Sequence, residues 1–165
     1  MGAGKTTIGR LLAARFALAF IDLDEVIVER AGKPIPTMFA QQGECLFRAL
    51  ESEMLALYCT DDREGRVLST GGGAVLLSAN RERMRRCGTV VWLHAAPEVS
   101  AARIEGDANR PLINGVDPLA KARELARIRT PLYEAIADLR IDTGRRSAQE
   151  AVDDIHAFLS QSGHD

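Results

Sequence analysis

Met1-Gly2-Ala3-Gly4-Lys5-Thr6-Thr7 is the stretch on which the reading of this chain turns. Gly2, Ala3, Gly4, Lys5, Thr6 and Thr7 carry the closing half of G-x-x-x-x-G-K-[ST]. In that pattern backbone N–H groups cradle phosphates, a lysine reaches the terminal phosphates and a Thr or Ser hydroxyl joins the shell of Mg²⁺. Glycines suit the loop because its backbone takes positive φ and lies against the ligand. Ile8, Leu11, Leu12 and Phe16 then fall on one helical face. The start of that helix, with its unpaired donors and positive dipole end, points at the phosphates. The first glycine of the pattern would stand upstream of Met1.

Length and composition frame one domain over residues 1–165, 46% hydrophobic and long enough to bury a core without staples. The net charge of -2 gives no general electrostatic reason to bind nucleic acid or an anionic membrane. No apolar run approaches membrane-spanning length and no charged start precedes an apolar signal run, so a cytoplasmic location is expected. Cys45, Cys59 and Cys87 are odd in number, far apart and without a C-x-x-C pair, which argues for thiols in a reducing compartment and against a disulfide framework or a zinc site.

Along the chain, short apolar runs alternate with helical patterns. Strands are expected at Ala19 to Leu23, Val67 to Thr70, Thr89 to Leu93 and Leu139 to Thr143, with helices between them. This alternation means an α/β fold with a mostly parallel sheet. Asp22 and Asp24 stand at the C-terminal edge of the first of these strands, where open parallel sheets bind ligands, and Asp24 could also cap the next helix. Gly43 should break a helical pattern, after which Phe47, Leu50, Met54 and Leu57 mark an amphipathic helix on which Arg48 and Glu51 can pair. Asp61 to Arg66 reads as a charged loop. Gly71-Gly72-Gly73 closes a strand with more glycine than a tight crossover needs, so it can bring bare backbone N–H groups to a ligand. His94 reads as a structural polar residue at a strand end. Gly106 to Asp117 is the longest loop and holds Arg110; loops of this kind over phosphate sites commonly act as lids. Arg129 precedes an expected helix break at Thr130-Pro131.

These motifs, in this order and spacing, resemble shikimate kinase over essentially the whole chain. Met1 to Thr7 is similar to that family's phosphate loop, Asp22-Leu23-Asp24 to its paired aspartates and Phe47-Arg48 to its first substrate arginine. Gly71-Gly72-Gly73-Ala74 resembles its triple-glycine segment, Arg110-Pro111-Leu112 its lid and Arg129-Thr130-Pro131-Leu132-Tyr133 its second substrate arginine. Nucleoside monophosphate kinases share the loop and the lid but not the full series.

The resemblance implies ATP- and Mg²⁺-dependent phosphorylation of shikimate to shikimate 3-phosphate, in the chorismate route to aromatic amino acids, by a monomer with no nucleic-acid or membrane partner. It implies that Arg48 and Arg129 grip the substrate carboxylate, that Asp24 holds and orients the ring hydroxyls, and that Gly71, Gly72 and Gly73 offer backbone donors. Guanidinium forks match a carboxylate in geometry and charge. Lys5 and Arg110 would act on the transferring phosphoryl group, Thr6 would ligate Mg²⁺, and Asp22 would act through a metal-bound water. Arg103 and Arg146 are the implied adenine contacts, with Ala148 near the position where the family has a proline. Residues 33–60 would form the substrate-binding helical region and residues 106–118 the lid. A kinase for another small hydroxy acid and a catalytically impaired homologue or binding protein are the alternatives.

In the family an apolar strand runs into the phosphate loop and occupies the middle of a five-stranded parallel sheet of order 2-3-1-4-5. Here four strands can be found and the loop begins at Met1. The resemblance therefore implies an absent first strand, a disturbed sheet centre and weak activity, with Met1 an internal methionine and about ten further residues before it in the working enzyme, enough for one strand and its turn.

Overall fold

The computed structural model describes residues 2–60, 65–104 and 117–161, in which seven α-helices alternate with four strands. Helix α1 (Lys5–Phe16) starts directly after Gly4 and ends at Ala17 in the left-handed region. Strand β1 (Ala19–Asp22) leads without a loop into α2 (Leu23–Ala31). Gly9 lets the two elements close up, because a Cβ there would lie 2.5 Å from the Phe20 ring.

Next comes α3 (Ile35–Tyr58), a single run with non-helical backbone at Gly43 (φ 77°, ψ 167°). The expected break is therefore a kink between two helical pieces, at a φ that suits glycine. Strand β2 (Arg66–Ser69) follows and includes Arg66, which the sequence reading left in the loop; residues 61–64 lie outside the described residues. A short 3₁₀ turn (Ala74–Leu76) precedes α4 (Ser78–Cys87), then come β3 (Val91–His94) and α5 (Pro97–Ile104). Helix α6 (Pro118–Glu134) contains Pro131, so the break expected at Thr130-Pro131 does not occur. Leu132, Tyr133 and Ile136 pack on the core from this stretch, and that burial outweighs the one backbone hydrogen bond a proline removes. Strand β4 (Leu139–Asp142) and α7 (Ala148–Gln161) complete the order.

The result is an α/β fold of helices and small parallel sheets. β1 pairs in parallel with β2, Ala19 opposite Arg66 through Asp22 opposite Ser69. β3 pairs in parallel with β4, Val91 opposite Leu139 through His94 opposite Asp142. Among the described residues these are two separate two-stranded sheets rather than one continuous sheet. Two cores accompany them. Leu23, Ile27, Met38, Phe47 and Leu55 join α2 to α3, whereas Ile8, Leu12, Ile141, Val152 and Ile155 join α1 and β4 to α7.

Cys59 and Cys87 form a disulfide with Cα atoms 5.6 Å apart, which corrects the reading of these cysteines as unpaired thiols. It ties the end of α3 to the end of α4, and only Cys45 is left free and exposed. No helix among the described residues is long and apolar enough to cross a membrane.

Asn80 anchors the turn after the triple glycine from the same side. It is 1% exposed, donates to the Ala74 carbonyl at 3.0 Å and accepts from Ser52. Asn80→Ala leaves that carbonyl without its donor and should cost about 1–3 kcal/mol. Urea unfolding will show this as a lowered midpoint with an unchanged slope.

Candidate active site

Gly4 adopts φ 79° immediately before α1, and Gly2 φ 63°. Left-handed backbone at both turns the loop so that the first-turn amides of α1 open outward, and Gly4 has no side chain to cap them. An anion is the natural cap for such an end. Lys5, half-buried, stands at the first position of the helix. The Thr6 hydroxyl donates to Asp22 Oδ2 at 2.8 Å. Asp22, 9% exposed, also accepts the Asp24 N–H on Oδ1 at 3.1 Å, so Asp22 rather than Asp24 caps α2. The turn at Leu23 thus separates the two aspartates, one against the phosphate loop and the other in the first turn of α2.

The triple glycine is the floor on which the remaining polar groups converge. A Cβ at Gly71 would lie 2.5 Å from Glu51 Oε1 and 3.0 Å from Asp24 Oδ1. One at Gly72 would lie 3.3 Å from Arg129 Nη1, and one at Gly73 would collide with the Arg48 guanidinium. Two carboxylates therefore sit against one end of the segment and two guanidinium groups against the other. Any side chain here would displace them, which is a stronger demand for glycine than a turn makes.

Arg48 is held from its own helix. Glu51 Oε2 accepts from Nη1 at 2.7 Å and Glu44 Oε1 from Nη2 at 3.0 Å, while the Phe47 ring lies 5.1 Å below the guanidinium. Burial works against its charge, but Glu51 and Glu44 outweigh this and raise its pKa. Glu51 is fully buried, and burial pushes its carboxyl above the ordinary value, with Arg48 pulling the other way and Asp24 adding to the rise. Its Oε1 has no hydrogen-bond partner among the described residues. Arg129 is 5% exposed, and burial lowers its pKa, with Arg48 adding to the fall and Tyr133 opposing it. Its Nε is buried without a hydrogen-bond partner among the described residues. Arg129 lines the cavity described below, so this donor is available to a ligand that carries an acceptor.

A cavity joins this floor to the phosphate loop, running from Ala3 and Lys5 past Gly71 and Gly72 to Arg129 and Tyr133. Arg103 reaches the loop from α5 by donating to the Gly2 carbonyl at 3.1 Å and to the Thr143 carbonyl at 2.7 Å, so it ties the loop to the end of β4. Arg146 lies at the surface in an ion pair with Asp154 at 3.2 Å. His94 Nδ1 is buried, without a hydrogen bond among the described residues and 3.9 Å from Asp142 Oδ1, and burial lowers its pKa. Arg110 and Met1 lie outside the described residues, as does all of the lid except 117–118. Sequence reasoning paired Glu51 with Arg48 but gave neither Glu51 nor Tyr133 a place in the site. Their spacings, three residues after Arg48 and four after Arg129, were the available signal.

A glycine loop turned onto a helix start, a Thr–Asp pair beside it and a polar acceptor pocket across one cavity define a P-loop small-molecule kinase of the nucleoside monophosphate kinase type. The sequence profile described as shikimate kinase matches residues 1–160. Shikimate kinase of Symbiobacterium thermophilum is 45% identical over 165 residues, covering 99% of this chain and 94% of that protein. That of Pseudomonas fluorescens is 47% identical over 161 residues, covering 98% and 92%. The solved structure of shikimate kinase from Acinetobacter baumannii in complex with shikimate superposes with a TM-score of 0.94 at 37% identity, covering 100% of this chain and 91% of that one. The Aquifex aeolicus enzyme superposes at 0.83 and 33% identity, covering 98% and 93%. The chain belongs to the shikimate kinase family.

Proposed function

We propose that this chain transfers the terminal phosphoryl group of ATP to the 3-hydroxyl of shikimate. One observation carries the reading: the Arg48 and Arg129 guanidinium groups and the Asp24 and Glu51 carboxylates converge on Gly71–Gly73, and Gly71, Gly72 and Arg129 line a cavity that runs to Ala3 and Lys5. Shikimate is a cyclic triol with a single carboxylate. Arg48 and Arg129 take the carboxylate through charge-assisted bonds, the glycines add backbone donors, and Asp24 accepts from the ring hydroxyls and orients the one that attacks. Phosphoryl transfer is mainly positioning and charge neutralisation, which falls to Lys5, the α1 amides and, from the lid of residues 106–118, Arg110. Arg103 and Arg146 flank the adenine. Residues 33–60 form the substrate-binding helical region of a single domain, 1–165, which acts as a monomer in the cytoplasm.

The donor set near the loop fits Mg²⁺. Among the described residues no group of three or more His, Cys, Asp or Glu side chains could hold a metal by itself. Mg²⁺ however takes one or two protein oxygens together with waters and substrate phosphates, and the Thr6 hydroxyl beside Asp22 is such a pair. Thr6 would bind it directly and Asp22 through water. When bound it supplies neutralisation of charge on the phosphates.

The finer fold reading belongs with this function. β1–β2 and β3–β4 are the two sides of one parallel sheet with the family's order 2-3-1-4-5, whose central position none of the described strands fills. Support comes from the two unconnected pairs and from the cavity that borders β3 and Ala3.

The test is a coupled assay of purified protein with ATP and Mg²⁺ on shikimate, gluconate and nucleoside monophosphates. Shikimate should be the preferred acceptor. Turnover of another acceptor and none on shikimate overturns the assignment. Shikimate binding without turnover would make the chain a binding protein.

A further inference from the structure

Tyr133 carries one function that the arginine–glycine site does not explain. Its hydroxyl donates to the Gly72 carbonyl at 2.6 Å. The Arg129 guanidinium, which can only donate, interacts with the same hydroxyl. The phenol's single proton therefore goes to Gly72 and its lone pairs face the arginine. The ring is fixed as well: it stacks on Trp92 at 5.6 Å and 25° from parallel, and Trp92 is covered in turn by Arg140 at 4.7 Å.

The consequence follows from peptide geometry. The described chain has no cis peptide bonds, and in a trans peptide the C=O of one residue and the N–H of the next point in opposite directions. Holding the Gly72 carbonyl on Tyr133 turns the Gly73 N–H the other way. Between two glycines that plane rotates at little steric cost, and a flip would bring a carbonyl oxygen where a donor is wanted. An anionic ligand between Arg48 and Arg129 would meet that oxygen as a repulsive group.

We propose that Tyr133 is a positioning residue for substrate selection, which locks the Gly72–Gly73 peptide and the Arg129 fork together in the orientation that accepts a carboxylate. It touches no reacting atom. The proposal rests on the reading of Arg129 and the glycine segment as the acid subsite.

Tyr133→Phe is the variant that tests it, because the ring and its stack on Trp92 remain while the hydroxyl goes. Calorimetry on wild type, Tyr133→Phe and Arg129→Ala would measure binding of shikimate and of its methyl ester, which lacks the negative charge. In Tyr133→Phe we expect shikimate to bind about tenfold more weakly, the loss of a hydrogen bond to a charged partner, with the ester little changed. The preference for acid over ester should shrink accordingly and the KM for ATP should hold, while the thermal midpoint falls by a few degrees because the Gly72 carbonyl loses its donor. An unchanged acid-to-ester ratio overturns the proposal. So does a drop in thermal midpoint with equal weakening of both substrates, since that marks a merely structural role. Arg129→Ala separates the two levels: if it too leaves the ratio unchanged, the acid subsite itself is misplaced, whereas a collapsed ratio there beside an intact one in Tyr133→Phe removes Tyr133 alone.

Discussion

Lys5→Met should lower turnover on shikimate by about a thousandfold or more, the scale on which a single cation acts on a transferring phosphoryl group. Lys5 opens α1 beside the left-handed Gly4, on the cavity that leads to the acceptor floor. Methionine keeps a flexible apolar stem of similar length, so what is lost is the charge. A thousandfold is about 4 kcal/mol of barrier, more than a surface ammonium contributes to folding. The thermal midpoint should therefore stay within a degree or two of wild type, and shikimate should still bind, because Arg48, Arg129 and Gly71–Gly73 are untouched. Stopped turnover with retained binding is the expected pair of results. Unchanged turnover removes the loop from the mechanism.

The second large effect separates two arginines that have the same assigned task. Arg129→Ala and Arg48→Ala should each weaken shikimate binding by about 2–5 kcal/mol, the cost of removing one partner from a buried charged contact. Their effects on stability should differ. Arg48 is the partner of Glu51, which is fully buried and whose second oxygen already lacks a hydrogen bond. Arg48→Ala strands that carboxylate, at a cost of about 3–5 kcal/mol if it stays ionised, a large part of the roughly 5–15 kcal/mol that holds a domain folded.

The pH dependence of that cost has a definite sign. Burial already raises the Glu51 pKa while Arg48 lowers it, so deleting Arg48 raises it further. The folded state then binds a proton that the unfolded chain has released. Stability falls as pH rises from the ordinary carboxyl value through the raised one, and returns on acidification. Denaturation of Arg48→Ala between pH 4.5 and 8 should show a deficit against wild type that widens with pH. Arg129 also lowers the Glu51 pKa but less than Arg48 does and without a hydrogen bond to it, so the deficit of Arg129→Ala should widen less with pH. A flat profile for Arg48→Ala would mean that Glu51 finds another partner or water.

These effects rest on contacts of different origin in the chain. The local pattern already placed α1, since an apolar face repeating on the helical period after Gly4 leaves one way to bury Ile8 and Leu12. The four strands fall where short apolar runs end in Asp22, the triple glycine, His94 and Asp142. The bend at Gly43 was legible for the same reason, because a residue without Cβ is the cheapest place for φ 77°. Arg48 and Glu51 could be paired from their spacing alone, within one helix.

Other features depend on neighbours that sequence distance conceals. Pro131 reads locally as a stop, but the burial of Leu132 and Ile136 decides for continuation. Cys59 and Cys87 carry no pairing signal, being 28 residues apart, until α3 and α4 end side by side. Asp24 read locally as the cap of α2, but Asp22 takes that place, accepting the Asp24 N–H on one oxygen and the Thr6 hydroxyl on the other. Tyr133 acquires its role only where α6 lays it on Gly72, 61 residues earlier in the chain. The sequence by itself determined the periodic elements and the residue types available to the site, because those follow from steric and hydrophobic rules acting over a few residues. Which of those side chains are buried together was decided by tertiary packing alone; burial there raises the Glu51 pKa and lowers that of Arg129, while Glu51 and Glu44 raise that of Arg48 against its burial.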